Sequence, residues 1–464
     1  MDASISSPKS TKMQKLGETG KSNSAEDVDR ISSLPTGVLQ HILGFLPTHC
    51  AVRTCVLSKR WKCVWTGIPV LNFDEAEMRR NKLYDGINFV HFMDKVLGFH
   101  DRTVLDKFRL NLTMFYYEDG LDERPDEESD RMEALLSEVL RRKIQNLNVH
   151  LIDVYFAFPS TLYDCKSLTK LKIHGGTSPL KFPPSVCFPN LKYMKLMFVD
   201  IYCIEGVEHV SLSCPALEEA RFMDCHWYDI KAMDIFVPKL VRLTIEDIEI
   251  EWNTNSKINF YAETLVTLEV FSCLTFDLCF HNLLSLYDVS IYIGSGNDNK
   301  YRVNKLIQAV SNVKELTLFY PTILKLSSMK DLLKFSKLEG LIVPKSGSLN
   351  GESLTELFCS LPPLRYLAFM KGLDKKSLGG YEWSLEAIPQ SFLLHLKLFE
   401  INRFYGNETE LSLVEFLVKN ATVLEKIFIA SSPELSADPK KQLEVAKRLC
   451  NLYSSSMNVV IYFS

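Results

Sequence analysis

The sequence predicts an α/β chain in three parts: a small head of three helices, an irregular solenoid with a parallel β-sheet on its concave face, and an α+β module capping the far end. Three patterns carry this. Between Asp29 and Trp65 apolar residues recur at helical spacing. From residue 168 onward one short phrase, Leu, two residues, apolar, one residue, apolar, returns nine times. Beyond residue 380 the order becomes strand, helix, strand, helix, strand. These patterns divide the chain into a polar tail (1–28), the head (29–75), a linker with the first irregular units (76–145), the repeats (146–380) and the closing module (381–464).

In the head, Leu34, Val38, Leu39, Ile42, Leu43 and Leu46 follow the three-to-four spacing of one helix face. Ser32 or Ser33 is placed to cap that helix, Pro35 suits its first turn, and Pro47 stops it. A second helical run holds Ala51, Val52, Cys55 and Val56; a third, capped by Ser58, puts Trp61 and Trp65 four apart on one side. Three helices this short cannot build a full core of their own. Part of their apolar surface, the two indoles included, is therefore expected to stay uncovered until another polypeptide meets it.

This segment resembles an F-box. The resemblance rests on Asp29-Arg30-Ile31-Ser32, Leu34-Pro35, Val38-Leu39, Ile42-Leu43, Phe45-Leu46-Pro47, Val52-Arg53-Thr54 and Leu57-Ser58-Lys59-Arg60-Trp61, followed by Trp65. Thr36-Gly37 stands where the family usually has acidic residues, and His49-Cys50 where it often has an acid. The resemblance implies docking to the SKP-type adaptor of a cullin-RING ubiquitin ligase. The adaptor-facing residues expected on this basis are Leu34, Pro35, Val38, Leu39, Ile42, Leu46, Val52, Leu57, Trp61 and Trp65. Some of them must instead hold the three helices together.

The nine phrases open at Leu168, Leu191, Leu217, Leu240, Leu265, Leu286, Val313, Leu338 and Leu364, at intervals of 21 to 27 residues. That period is the one expected of leucine-rich repeats. Phe188-Pro189, Cys214-Pro215, Val237-Pro238 and Leu361-Pro362 precede four of the copies, and such a proline fixes the turn into a strand. No unit can bury its apolar edge alone, so the units must stack into one continuous core. Strand alternation then assigns the remaining positions to the concave face. The early repeats are basic there and the later ones carry aromatics or Met. Candidate target-binding residues are Lys172, Tyr193, Lys195, Arg221, Arg242, Phe271, Tyr292, Phe319 and Tyr366, since exposed aromatics and Arg dominate binding hot spots.

The C-terminal part resembles the FBD module that often ends plant F-box proteins. Pro389, Leu396-Lys397, Glu400-Ile401, Gly406, Glu410, Leu413-Val414, Phe416-Leu417, Asn420-Ala421 and Val423-Leu424-Glu425-Lys426 carry it, with Ser391-Phe392 where the family usually has Cys. A terminal repeat must present a polar outer face, so capping is the role expected, with a second recognition module as the alternative.

Composition narrows the function. Across 464 residues the chain is 46% apolar and 24% charged, with a net charge of −4; a dedicated nucleic-acid binder would show a basic excess. The linker contributes Leu105–Leu110 as a strand, Glu118–Asp130 as a solvated acidic loop, and a helix face of Met132, Leu135, Leu136, Val139 and Leu140. The first 28 residues are polar and read as disordered. With no apolar leader there, the 12 Cys are expected to be reduced, buried small hydrophobes of a cytosolic or nuclear protein, Cys55, Cys63, Cys187, Cys273 and Cys359 among them. No apolar run reaches membrane-spanning length.

Chemistry-bearing motifs are sparse. Gly17–Ser22 has two residues between its glycines where a phosphate loop needs four, Gly294-Ser295-Gly296 lacks a third glycine, and Cys225-His226 has no further ligands at metal spacing. No cofactor, metal or catalytic residue is expected. The expected function is a non-catalytic recognition subunit: the head holds the adaptor and, through it, the cullin and RING subunits, while the repeats hold an unidentified target protein. The alternatives are an adaptor-bound scaffold without ligase output, and a small-molecule receptor or enzyme using the concave face.

Overall fold

All nine phrases become parallel strands of a single sheet. The computed structural model describes residues 30–80, 88–101, 105–113, 126–152, 154, 156–176, 178–228, 230–247, 256–294, 300–327, 335–344, 351–373, 388–455 and 459–464. The repeat strands are Lys170–His174, Tyr193–Met197, Glu219–Met223, Arg242–Asp247, Thr267–Ser272, Asp288–Ile293, Glu315–Leu318, Gly340–Val343 and Tyr366–Phe369. Leu171 faces Met194, Met194 faces Ala220, Ala220 faces Leu243, and the register continues without a slip to Leu367. The three apolar positions of every phrase are buried, from Leu168, Leu171 and Ile173 to Leu364, Leu367 and Phe369. A one-residue slip would turn each of them outward, so burial itself fixes the register.

Three of the turns that carry proline are built alike. In Phe188-Pro189-Asn190-Leu191 the Leu191 N–H donates to the Phe188 carbonyl at 3.4 Å; Leu217 to Cys214 and Leu240 to Val237 repeat the bond at 3.1 and 3.0 Å. Proline is the second residue of each turn, where its fixed φ fits. The residue before it passes its own N–H to the next repeat: Phe188 to Ser213, Cys214 to Phe236 and Val237 to Tyr261.

The sheet is longer than the nine phrases. Val70–Asp74, Lys107–Thr113 and Asn146–Ile152 precede them, and Leu398–Phe404, Lys426–Ser431 and Val460–Phe463 follow, giving 15 strands in chain order. The phrase was legible in most of these too: Ile68-Pro-Val-Leu71-Asn-Phe73, Leu105-Asp-Lys-Phe108-Arg-Leu110, Leu396-Lys-Leu-Phe399-Glu-Ile401 and Leu424-Glu-Lys-Ile427-Phe-Ile429 all obey it. Leu105–Leu110 and the strands of the closing module are expected from the sequence as strands, and their wider spacing keeps them outside the repeat period.

The outer layer changes character along the chain. Between Pro179 and His281 it is made of short strands, arranged in a three-stranded and a five-stranded sheet. Segments such as HWY and KINFY, rich in aromatic and β-branched residues, favour that choice. Before and after it, helices cover the main sheet, including Asp126–Arg141, Lys300–Ala309 and Glu408–Asn420. Aromatic side chains knit the layers: Phe222 lies 5.9 Å from Trp227 and 6.1 Å from Phe260, ring centroid to centroid.

Several expectations need correction. The acidic stretch is not a loop throughout: Asp126–Asp130 open the helix Asp126–Arg141, and Glu118–Pro125 lie outside the described residues. So do the tail 1–28, with Gly17–Ser22, and Ser295-Gly296. The first head helix runs Thr36–Leu43 with Pro35 at its N-cap and no side-chain cap, so neither Ser32 nor Ser33 performs that role. The third is two 3-10 turns, Trp61–Cys63 and Trp65–Gly67; a run ended so soon by Gly67 and Pro69 does not develop α-helical pairing. All 12 cysteines are free, yet Cys63, Cys359 and Cys450 are exposed rather than buried.

The closing module is tied to the last repeat by one buried carboxylate. Asn407 and Glu410 form a capping box at the start of Glu408–Asn420. Glu410 is fully buried and accepts backbone N–H bonds from Leu373 and Tyr405 at 2.9 Å and from Asn407 at 3.3 Å. Gly372 sits against it with φ +44°; a Cβ there would lie 2.6 Å from the Arg403 carbonyl oxygen and 2.8 Å from Glu410 Oε1. Glu410→Ala strands three donors away from water and is expected to cost about 2 kcal/mol or more, measured as a lower urea midpoint of the full chain.

Candidate functional site

Two surfaces collect the residues singled out from the sequence. The first is the head. On helix Thr36–Leu43, Leu39 and Leu43 point inward and are buried, while Val38 and Ile42 are 43% and 42% exposed on the other side. Phe45, Leu46, Val56 and Leu57 extend this apolar surface at 76%, 37%, 83% and 65% exposure, and Ile31 adds to it from the segment before the helix. Pro35 is exposed; Leu34 and Val52 are half-buried against the core.

Three of the expected adaptor-facing residues belong to the interior instead. Leu39, Trp61 and Trp65 are buried. The Trp61 indole N–H donates to Ser32 Oγ at 2.8 Å, and Arg60 reaches the Leu34 carbonyl, so the third segment folds back over the start of the first. An indole offers the largest apolar area in a short head, and the chain uses both to hold its own turns together. Conversely, Ile31, Phe45 and Val56 are exposed though they were not among the expected contacts. Phe45 and Val56 sit beside Leu46 and Leu57, and periodicity alone could not tell which member of each pair turns out. The rim is one-signed: Arg30, Arg53, Lys59, Arg60 and Lys62 are exposed, and no carboxylate occurs between Arg30 and Phe73.

The second surface is the concave face. Lys172, Tyr193, Lys195, Arg221, Phe271, Tyr292, Phe319 and Tyr366 are all half-buried and Arg242 is exposed. The register aligns Lys172, Lys195 and Arg221 in one row. Tyr193 stands between lysines, its ring 4.8 Å from Lys170 Nζ and 5.3 Å from Lys172 Nζ. Arg221 and Arg242 are already satisfied by Glu219, at 2.8 and 3.2 Å. Burial pushes the Glu219 carboxyl up, yet hydrogen bonds from those two guanidiniums hold it below the usual range.

Phe271, Tyr292 and Phe319 form a cluster with centroids 5.3 to 6.5 Å apart. Tyr366 stands apart from it and donates its hydroxyl to Glu400 at 2.9 Å. Further on the alternation weakens: Thr317 and Ala368, which strict alternation would expose, are buried. Lys107 and Arg109, two strands before Lys170–His174, extend the basic row; their strand was expected, but not its place on the concave face.

A family model described as F-box domain matches residues 31–72, and one described as FBD matches residues 386–429. The chain thus carries an F-box and an FBD match, and the proteins it is similar to are F-box/FBD/LRR-repeat proteins. It is 28% identical over 428 residues to an FBD-associated F-box protein of Arabidopsis thaliana, covering 88% of this chain and 94% of the relative. It is also 26% identical to F-box/LRR-repeat protein 13 and to an F-box/FBD/LRR-repeat protein of the same plant, in each case over 95% of this chain and 98% of the relative. The F-box match runs into strand Val70–Asp74, so the F-box shares its last segment with the solenoid sheet. The FBD match spans strand Leu398–Phe404 and the capped helix and ends within Lys426–Ser431.

The remaining chemical candidate in this chain is Cys225-His226. The Cys225 thiol is buried and hydrogen-bonds the Leu196 carbonyl, and burial pushes it up to about 12. The His226 ring contacts Asp200 at 2.9 Å. Among the described residues no group of three His, Cys, Asp or Glu is placed to hold a metal ion, and no helix is long and apolar enough to cross a membrane.

The two classes of head residue separate by stability. Trp61→Ala empties a core position and is expected to cost about 3–5 kcal/mol. Val56→Ser with Leu57→Ser changes only exposed side chains and should stay within about 0.5 kcal/mol per site. Thermal denaturation of the full chain distinguishes them.

Proposed function

We propose that this chain is the substrate-recognition subunit of an SCF-type cullin-RING E3 ubiquitin ligase, with the F-box holding the SKP-type adaptor and the repeats holding a target protein. The observation that carries this reading is the apolar surface of Val38, Ile42, Phe45, Leu46, Val56 and Leu57, which the chain's own solenoid does not cover. Exposed apolar residues in this number, on so small a head, are what a protein–protein interface requires. The cationic rim adds a preference: the docking surface fits a partner that is apolar at the centre and acidic around it.

The chain's contribution is then proximity. Held through its head by the adaptor and through its repeats by its target, it raises the effective concentration of target lysines near the charged carrier of ubiquitin, and the bond-making groups belong to other subunits.

Val38→Asp combined with Leu57→Asp places two carboxylates in the apolar surface without touching Leu39, Trp61 or Trp65. Each should remove about 2 kcal/mol or more of binding if it strikes a hot spot. The expected result is loss of co-purifying adaptor, and of target ubiquitination in a reconstituted cullin complex, with an unchanged melting temperature. Full adaptor capture by that variant would overturn the reading.

A further inference from the structure

Elsewhere on its surface this protein pairs lysine with glutamate from one repeat to the next. Lys192 meets Glu218, Lys231 meets Glu208, and Lys397 meets Glu425. On the first strands of the concave face the pattern breaks. Lys107, Arg109, Lys170, Lys172 and Lys195 stand on three strands with only Asn146, Asn148 and His150 between them, and among the described residues none of the five has an ion-pair partner. Their company is costly. Burial first, then the neighbouring cations, holds the Lys107 and Lys172 ammonium groups below their usual range. A sheet face shaped only for solvation would alternate sign, as the outer edges of the same repeats do.

Along the same face the sign reverses. Glu246, Glu269, Asp288 and Glu315 follow on later strands, and burial, then neighbouring acids, raises Asp288. The aromatic cluster of Phe271, Tyr292 and Phe319 lies among these acids. From Lys172 to Phe271 the ladder counts four strand spacings, roughly 19 Å, which five or six residues of extended chain would span.

We infer that the cationic patch receives an acidic segment of the target protein, its carboxylates or phosphates over Lys172 and Lys195, with an apolar side chain five or six residues away on the aromatic cluster. The inference rests on the proposed role of the concave face in holding the target. It also sets polarity: a segment laid the other way would bring its acids against Glu269, Asp288 and Glu315, where like charge rejects it.

The test is selection from degenerate peptide libraries of about twelve residues, one unmodified and one with a fixed central phosphoserine, panned on the purified full-length chain. The selected peptides should be rich in Asp and Glu or drawn from the phosphoserine library, with an aromatic or aliphatic residue five or six positions from the acids. Their affinity should fall as salt rises. Lys172→Glu with Lys195→Glu should lower it by about tenfold or more while adaptor capture stays intact, and Phe271→Ala should weaken binding without altering the preference for acids. Selection of neutral or basic peptides, no selection at all, or an acidic preference that survives the double charge reversal would overturn the inference. Binding of pyrophosphate without any peptide selection would overturn it too, assigning the patch to a small anion. Peptide selection is scored on the chain alone and adaptor capture in a separate pull-down, so failure of one reading is not mistaken for failure of the other.

Discussion

Everything in this molecule depends on one constraint: parallel strands must pair in register while every second side chain disappears into the core. A parallel ladder needs a crossover between successive strands, and here each crossover doubles as the outer wall of the same core. The ladder carries no binding chemistry, but it decides which residues can. Leu171, Met194, Ala220 and Leu243 are committed to the interior, and that leaves Lys172, Lys195, Arg221 and Thr244 as a row on the open side. The choice of outer wall, short strands in the middle and helices at both ends, is free by comparison, because any apolar layer of the right thickness satisfies it.

The head obeys the same economy at smaller scale. Helix Thr36–Leu43 has one side sealed by Leu39 and Leu43 and another left with Val38 and Ile42. The head is held partly by itself, through Trp61 and Trp65, and partly by the first strand of the sheet, whose Asn72 N–H donates to Thr48 Oγ1 of the second helix, Thr48–Arg53, at 2.7 Å. A domain this short is stable because it leans on the solenoid, and its exposed side stays free because the solenoid supports only the opposite one.

Much of this was legible in the sequence, for identifiable reasons. Period-two burial is a local rule, so Lys172, Tyr193 and Phe271 could be placed on the open face from their neighbours alone. The turns followed from proline at a defined position. Residues whose fate depends on distant chain were harder. Trp61 and Trp65 were expected outside because nothing nearby reveals that Ser32 will meet an indole 29 residues later. Leu105–Leu110 was expected as a strand, but Lys107 and Arg109 were not placed on the concave face, because their copy is set apart by long insertions and periodicity loses force when the period stretches. The missing side-chain cap on the first helix shows a rule overridden: Pro35 took the position that a serine would have filled.

The sharing of strand Val70–Asp74 between the F-box and the main sheet has a mechanical meaning. A hinge needs a segment that belongs to neither body, and here the last segment of the head is the first rung of the ladder. At the far end Leu398–Phe404 likewise pairs directly with Tyr366–Phe369. Head, repeats and closing module therefore share one continuous ladder. Adding or deleting a single coil would move whatever it carries by one rung, about 4.8 Å, and turn it about the axis, so the number of coils works as a ruler.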